Sequence, residues 1–203
     1  MISDKPMLDE YPDRDLAIEE GRRQNLVRPA VPNRTKVVRL FVVPPGKDPA
    51  EIIRTKSPTR ADVFVVTGDD GNLKPMSWLG DGLVEHDRAH DQHVESVVVL
   101  MGIDREQIEW QCDVPFAVSR IQRIDESEHG FPKGSGPEQP FEVDPTGRTG
   151  DRCEPIRSGP TKVRPDGAAG PAVPWNQLYK AHFVLWIGGQ LKPLDPDFYC
   201  DWR

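Results

Sequence analysis

Between Ile108 and Cys112 every second residue is apolar (Ile108, Trp110, Cys112), and Glu109 and Gln111 lie between them. That two-residue period predicts a strand with one face in a core and the other in water. Val114-Pro115 interrupts the run. Proline cannot donate to a sheet ladder, so the chain is expected to bulge there, reach an edge or cross between sheets. Phe116, Val118, Ile121 and Ile124 then resume out of strict alternation, as after a shifted pleat.

Other segments share this strand character. TKVVRLFVV from Thr35 is apolar on both faces until Pro44-Pro45 stops it, the pattern of a central strand covered on both sides. Asp62 to Thr67 (DVFVVT) and Val94 to Met101 (VESVVVLM) read as further strands, LKPMSWLG as a short strand or ordered loop carrying Trp78. The segment between Gly46 and Arg60 reads as a loop with at most one short turn of helix or strand. In Leu178 to Ile187, Tyr179, Ala181, Phe183, Leu185 and Ile187 share one face, while Leu178, Lys180, His182, Val184 and Trp186 share the other. Gly188-Gly189 predicts a two-residue hairpin with QLKPL as its return strand, and Asp195-Pro196-Asp197 a second turn before FYCDW. The aromatic carboxy-terminal hairpin is expected to be integral to the fold.

These elements predict a mainly β protein. The expected architecture is an antiparallel β-sandwich of seven or eight strands over residues 35–203, with an N-terminal arm at 1–34 and a long irregular insertion at 126–174. In the arm, Asp13 to Leu26 carries acids early and Arg22 and Arg23 late, which suits the dipole of a short helix, but Leu16, Ala17 and Leu26 are few apolar anchors. An arm of this kind wraps its own domain, a neighbouring subunit or nothing. Within the insertion only Phe141 to Val143 and Thr161 to Val163 look extended. It reads as a surface excursion, with a binding loop or lid as the functional alternative.

Composition narrows the partners. The 21 prolines and 17 glycines sit mostly between apolar runs, as turns. A net charge of −7 argues against general nucleic-acid binding, which needs a basic surface. No run approaches the ~18 apolar residues of a membrane helix. The acidic start MISDKPMLDEYPDRD lacks the apolar stretch of a signal peptide, so a soluble, cytoplasmic protein is expected. Cys112, Cys153 and Cys200 show no CxxC spacing and read as thiols rather than a disulfide framework or zinc ribbon.

IEWQCDVPF, IRSGP at Ile156 to Pro160 and the ending YKAHFVLWIGGQLKPLDPDFYCDW together resemble uncharacterised bacterial β-sandwich proteins, in which a "W…PF" strand is followed by a closing "YK…DPD" hairpin. The resemblance spans residues 95–203 and implies a fold without an activity. Cupredoxin sandwiches share the outline, but Cys200 is followed by Asp201, Trp202 and Arg203 alone, so a blue-copper ligand set is unsupported.

Candidate chemistry is sparse. His86 and His90 are four apart and His93 three further on, a spacing at which imidazoles can hold a divalent metal with Glu85, Asp87 or Asp91 as carboxylate partner. The plainer reading of EHDRAHDQH is a solvated, charged loop. No G-x-S-x-G, P-loop or G-x-G-x-x-G is present. Cys112 with His182 is a conceivable thiolate and base, although a cysteine alternating with Trp110 reads first as core. Trp175, Trp186 and Trp202 crowd the carboxy-terminal hairpin, either as core or as a surface that docks a partner. The expected function is a non-enzymatic interaction or assembly module without a cofactor. Its arm and long loop would contact a protein partner or further copies of the chain. The alternative is a metal-binding protein or metal-dependent enzyme using the three histidines.

Overall fold

A computed structural model describes residues 34–59, 61–78, 82–85, 98–102, 104–124, 136–152, 154–163 and 176–202. Among the described residues, twelve strands form two six-stranded sheets packed face to face. In the first, the order is β4 (Leu83–Glu85), β3 (Leu73–Trp78), β2 (Val63–Thr67), β1 (Thr35–Val42), β6 (Gln107–Cys112) and β9 (Ile156–Arg157). The second runs β5 (Val98–Met101), β12 (Asp197–Asp201), β10 (Asn176–Ile187), β7 (Phe116–Arg123) and β8 (Thr149–Gly150), with β11 (Gln190–Leu194) also paired to β10.

The sandwich is as expected, but its sheets are mixed, so the expected antiparallel arrangement holds only in part. Strand β1 is parallel to both β2 and β6, and β12 is parallel to β5; the other pairings are antiparallel. A parallel pair needs a crossover rather than a tight turn. Between β1 and β2 that crossover is the segment read as a loop, which contains helix α1 (Pro49–Lys56). Asp48 caps α1 by accepting from Ala50 N at 2.9 Å, Pro49 starts it, and Ser57 ends it in the left-handed region at φ 45°. Ile52 and Ile53 of α1 cover Phe41, Val43 and Phe64, which accounts for a β1 apolar on both faces.

The other face of β1 meets the main core, where Val38, Leu40, Val63, Val65, Ile108 and Trp110 oppose Leu100, Phe116, Val118, Tyr179, Phe183, Leu185 and Phe198. Pro115 marks the crossing between sheets: β6 ends at Cys112 in the first sheet and β7 begins at Phe116 in the second. The irregular periodicity beyond it matches a register shift between β7 and β10 at His182/Phe183.

The described parts of 126–174 are sewn into the sandwich. Phe141 is 1% exposed, bridges Thr161 and stacks on Phe198 at 5.8 Å. Thr161 N donates to Glu106 O at 3.0 Å, and Ile108 N donates to Ser158 Oγ at 3.0 Å. Buried carboxylates are held by partners as well. Asp62 accepts from Arg39 N, Nε and Nη2 and from Thr59 N. Glu106 accepts from Met101 N at 2.8 Å. Glu109 lies on the face of β6 expected to be wet, yet it is buried against Arg157 of β9 and Gln111.

Candidate functional site

Strand alternation decides which side chains the second sheet turns away from the core. Register pairs Trp186 with Leu191, and Val184 with both Pro193 and Ala117, all on the outer face. Gly188 and Gly189, at φ 58° and 79°, turn β10 into β11 through a two-residue loop that needs positive φ at both positions. Trp186 is 49% exposed and Leu191 67% exposed, opposite one another across the hairpin. Cross-strand neighbours of this kind form one apolar patch rather than two isolated residues. Strand β11 pairs with β10 alone among the described strands, and Pro193 removes a donor from it. A proline on such an edge blunts strand addition, so the patch offers side chains rather than a free ladder.

At the hairpin tip the patch runs into an open cleft of about 550 Å³, lined by Val114, Pro115, Asp151, Arg152, Trp186, Ile187 and Gly188. Trp186 N donates to Pro115 O at 2.9 Å, tying the hairpin to the crossing between the sheets. Along the other end of the face runs a polar row. Arg120 Nη2 lies 2.6 Å from Gln122 Oε1 and 3.2 Å from His182 Nε2, and His182 Nε2 lies 2.9 Å from Gln122 Oε1. Partial burial, then the charge of Arg120, lowers the pKa of His182, so the imidazole is neutral at pH 7. Lys180 stands 3.4 Å from Asp195 and 3.8 Å from Asp197. The result is an apolar centre with a mixed polar rim, the make-up of a contact surface.

Trp202, grouped with Trp186 in the sequence reading, occupies a different environment. It is 5% exposed, packs in the main core and donates from Nε1 to Lys162 O at 2.9 Å. Trp175 lies outside the described residues, as do His86, His90 and His93. Among the described residues no group of three or more His, Cys, Asp or Glu is placed to hold a metal ion. Cys112 faces the core from the first sheet while His182 faces outward from the second, so the sandwich separates them. Burial pushes the Cys112 thiol up to about 12 and that of Cys200 well above the ordinary range, which leaves both protonated and unreactive at neutral pH. Leu191, Pro193, Ala117, Arg120, Asp151 and Arg152 complete the surface and were not singled out from the sequence.

No protein-family model, curated protein or solved structure matches this chain. None of the described helices is long and apolar enough to cross a membrane.

Proposed function

We propose that the chain is a non-enzymatic interaction module and that it contacts other chains through the outer face of the second sheet around Trp186. One observation carries this reading. The other described tryptophans, Trp78, Trp110 and Trp202, are at least partly buried, whereas Trp186 is half-exposed and its cross-strand neighbour is Leu191. An exposed tryptophan beside an exposed leucine costs solubility and contributes nothing to the core. Large, rigid aromatic side chains of this kind are the usual anchors of protein contacts. Arg120, His182, Gln122, Asp151 and Arg152 around it supply a hydrogen-bonding rim.

The test is site-specific photo-crosslinking from position 191 in cells, with Trp186 kept intact. Adducts of higher mass than the single chain are expected, and Trp186→Ala should suppress them by about tenfold, the loss typical of an anchor residue. Absence of any heavier adduct, or adducts indifferent to Trp186→Ala, would overturn the proposal. The melting temperature of Trp186→Ala should fall by no more than a few degrees, because about half of the residue's surface is already in water.

A further inference from the structure

The acidic excess of the chain is unevenly placed. Residues 1–20 contain Asp4, Asp9, Glu10, Asp13, Asp15, Glu19 and Glu20 against Lys5 and Arg14, seven acids to two bases, or −5 of the total −7. Interleaved with them are Met7, Leu8, Tyr11, Leu16 and Ile18. The Trp186 face has the complementary make-up. Its centre is apolar, the guanidinium of Arg120 lies against Gln122 and the imidazole of His182, and Arg152 stands beside Asp151 on the wall of the cleft next to Trp186. Asp195, the acid next to this row, is engaged by Lys180.

We propose that the Trp186 face takes an extended acidic segment bearing apolar side chains, and that residues 1–20 of this chain are that segment. This rests on the reading of the face as a contact surface. Leu8, Tyr11 and Pro12 supply apolar groups for Trp186, Pro115 and Leu191, and Asp9, Glu10, Asp13 and Asp15 supply carboxylates for Arg120 and Arg152. Aromatic-lined grooves favour proline-bearing segments because such chains lose little entropy on docking. Length permits it. The described chain begins at Arg34, so residues 21–33 form a 13-residue tether. Extended, that tether spans roughly 45 Å. Strand β1, with 8 residues, runs about 26 Å from its start beside Gln107 towards the Pro115 end of the sandwich. The packed sheets add about 10 Å to that path, which the tether still covers, so the segment can extend past its own sandwich to the face of a neighbouring copy.

The experiment uses the full chain, purified as an equal mixture of ordinary and nitrogen-15-labelled protein, with the photo-crosslinker at position 191. Mass mapping of the linked peptides should join position 191 to residues 1–20 of a neighbouring copy, seen as pairs that mix ordinary and labelled peptides; links found only within one copy would overturn the proposal. Replacing Asp9, Glu10, Asp13 and Asp15 by their amides should lower the yield about tenfold, and so should Arg120→Glu. Raising salt from about 0.1 to 1 M should weaken it as well, since the screening length shrinks from ~10 to ~3 Å. Links to a different protein, or to other parts of this chain, overturn the arm as occupant and leave the contact-surface reading standing. Unchanged yield from the amide variant overturns the charge match on which the assignment depends. No links of any kind bring down both.

Discussion

Trp110 joins the two sheets, and its removal tests the packing most directly. The ring is 2% exposed and comes from the first sheet. It meets Phe183 and Phe198 of the second sheet at 5.6 and 6.4 Å, and Phe141 of the insertion at 6.4 Å, each steeply inclined. Truncating a buried aromatic to alanine costs about 3–5 kcal/mol, including the cavity left behind. Edge-on aromatic pairs add about 0.5–1.5 kcal/mol each beyond burial, and three such pairs put Trp110→Ala near the upper end, about 5 kcal/mol. A domain's whole margin is about 5–15 kcal/mol. For a chain of this length the loss corresponds to about 10–20 °C in melting temperature. Thermal and urea unfolding followed by far-ultraviolet circular dichroism reads both quantities, and Trp110→Phe, which retains an aromatic edge, should fall between the two. A melting temperature lowered by less than about 3 °C in Trp110→Ala would refute the view that this ring holds the sheets and the insertion together.

Three further outcomes follow from buried contacts. Asp62→Ala strands Arg39 and the Thr59 amide, and should cost about 3 kcal/mol in urea unfolding, the lower end for a broken buried pair because Arg39 is partly exposed; no loss would mean the pair is ornamental. Gly102→Ala places a methyl 2.3 Å from the Trp202 indole, which is fixed through Lys162 O, so it should cost about 1–3 kcal/mol and alter the near-ultraviolet dichroism of that ring; an unchanged spectrum and stability would show that the ring is free to move. Native Cys112 and Cys200 should resist iodoacetamide at pH 8 and react on unfolding, read by mass mapping of the labelled peptides. The folded thiol of Cys112 holds its proton up to about 12 and the unfolded one only to about 8.5. Its contribution to stability is therefore complete below about pH 8.5 and is lost as pH climbs towards 12. Labelling of Cys112 at the rate of an open thiol would contradict its burial.

The strands themselves were legible because a period of two is local, whereas their partners were not. Nothing in TKVVRLFV distinguishes a strand flanked by antiparallel neighbours from one flanked by two parallel neighbours, as β1 is by β2 and β6. The signal was present at one remove: a strand apolar on both faces needs cover on both, and Ile52 and Ile53 in the adjoining segment were the available cover. The insertion was harder to read. Phe141 and Thr161 were visible as short extended pieces, but their bridge joins positions 20 residues apart. Their burial depends on Phe198 and Glu106, contacts that no local pattern contains.

The fate of the two described hairpin tryptophans could have been separated by parity alone. Trp202 shares its parity with Phe198 and Cys200, both in the core, and it follows them inward. Trp186 has the opposite parity to Phe183 and Leu185 and travels with Lys180 and His182, so a pleat that buries the phenylalanine must expose the indole. What parity cannot supply is the surroundings of that indole. The cleft beside it is assembled from Val114 and Pro115 at the sheet crossing and from Asp151 and Arg152 beyond β8. Those segments arrive there only because β7 pairs with β10 on one side and with β8 on the other. An exposed tryptophan on a strand is thus a property of the sequence, while an exposed tryptophan with a charged cleft at its edge is a property of the topology. A second contact surface of this kind is better sought at the ends of non-local strand pairs than in any single stretch of the chain.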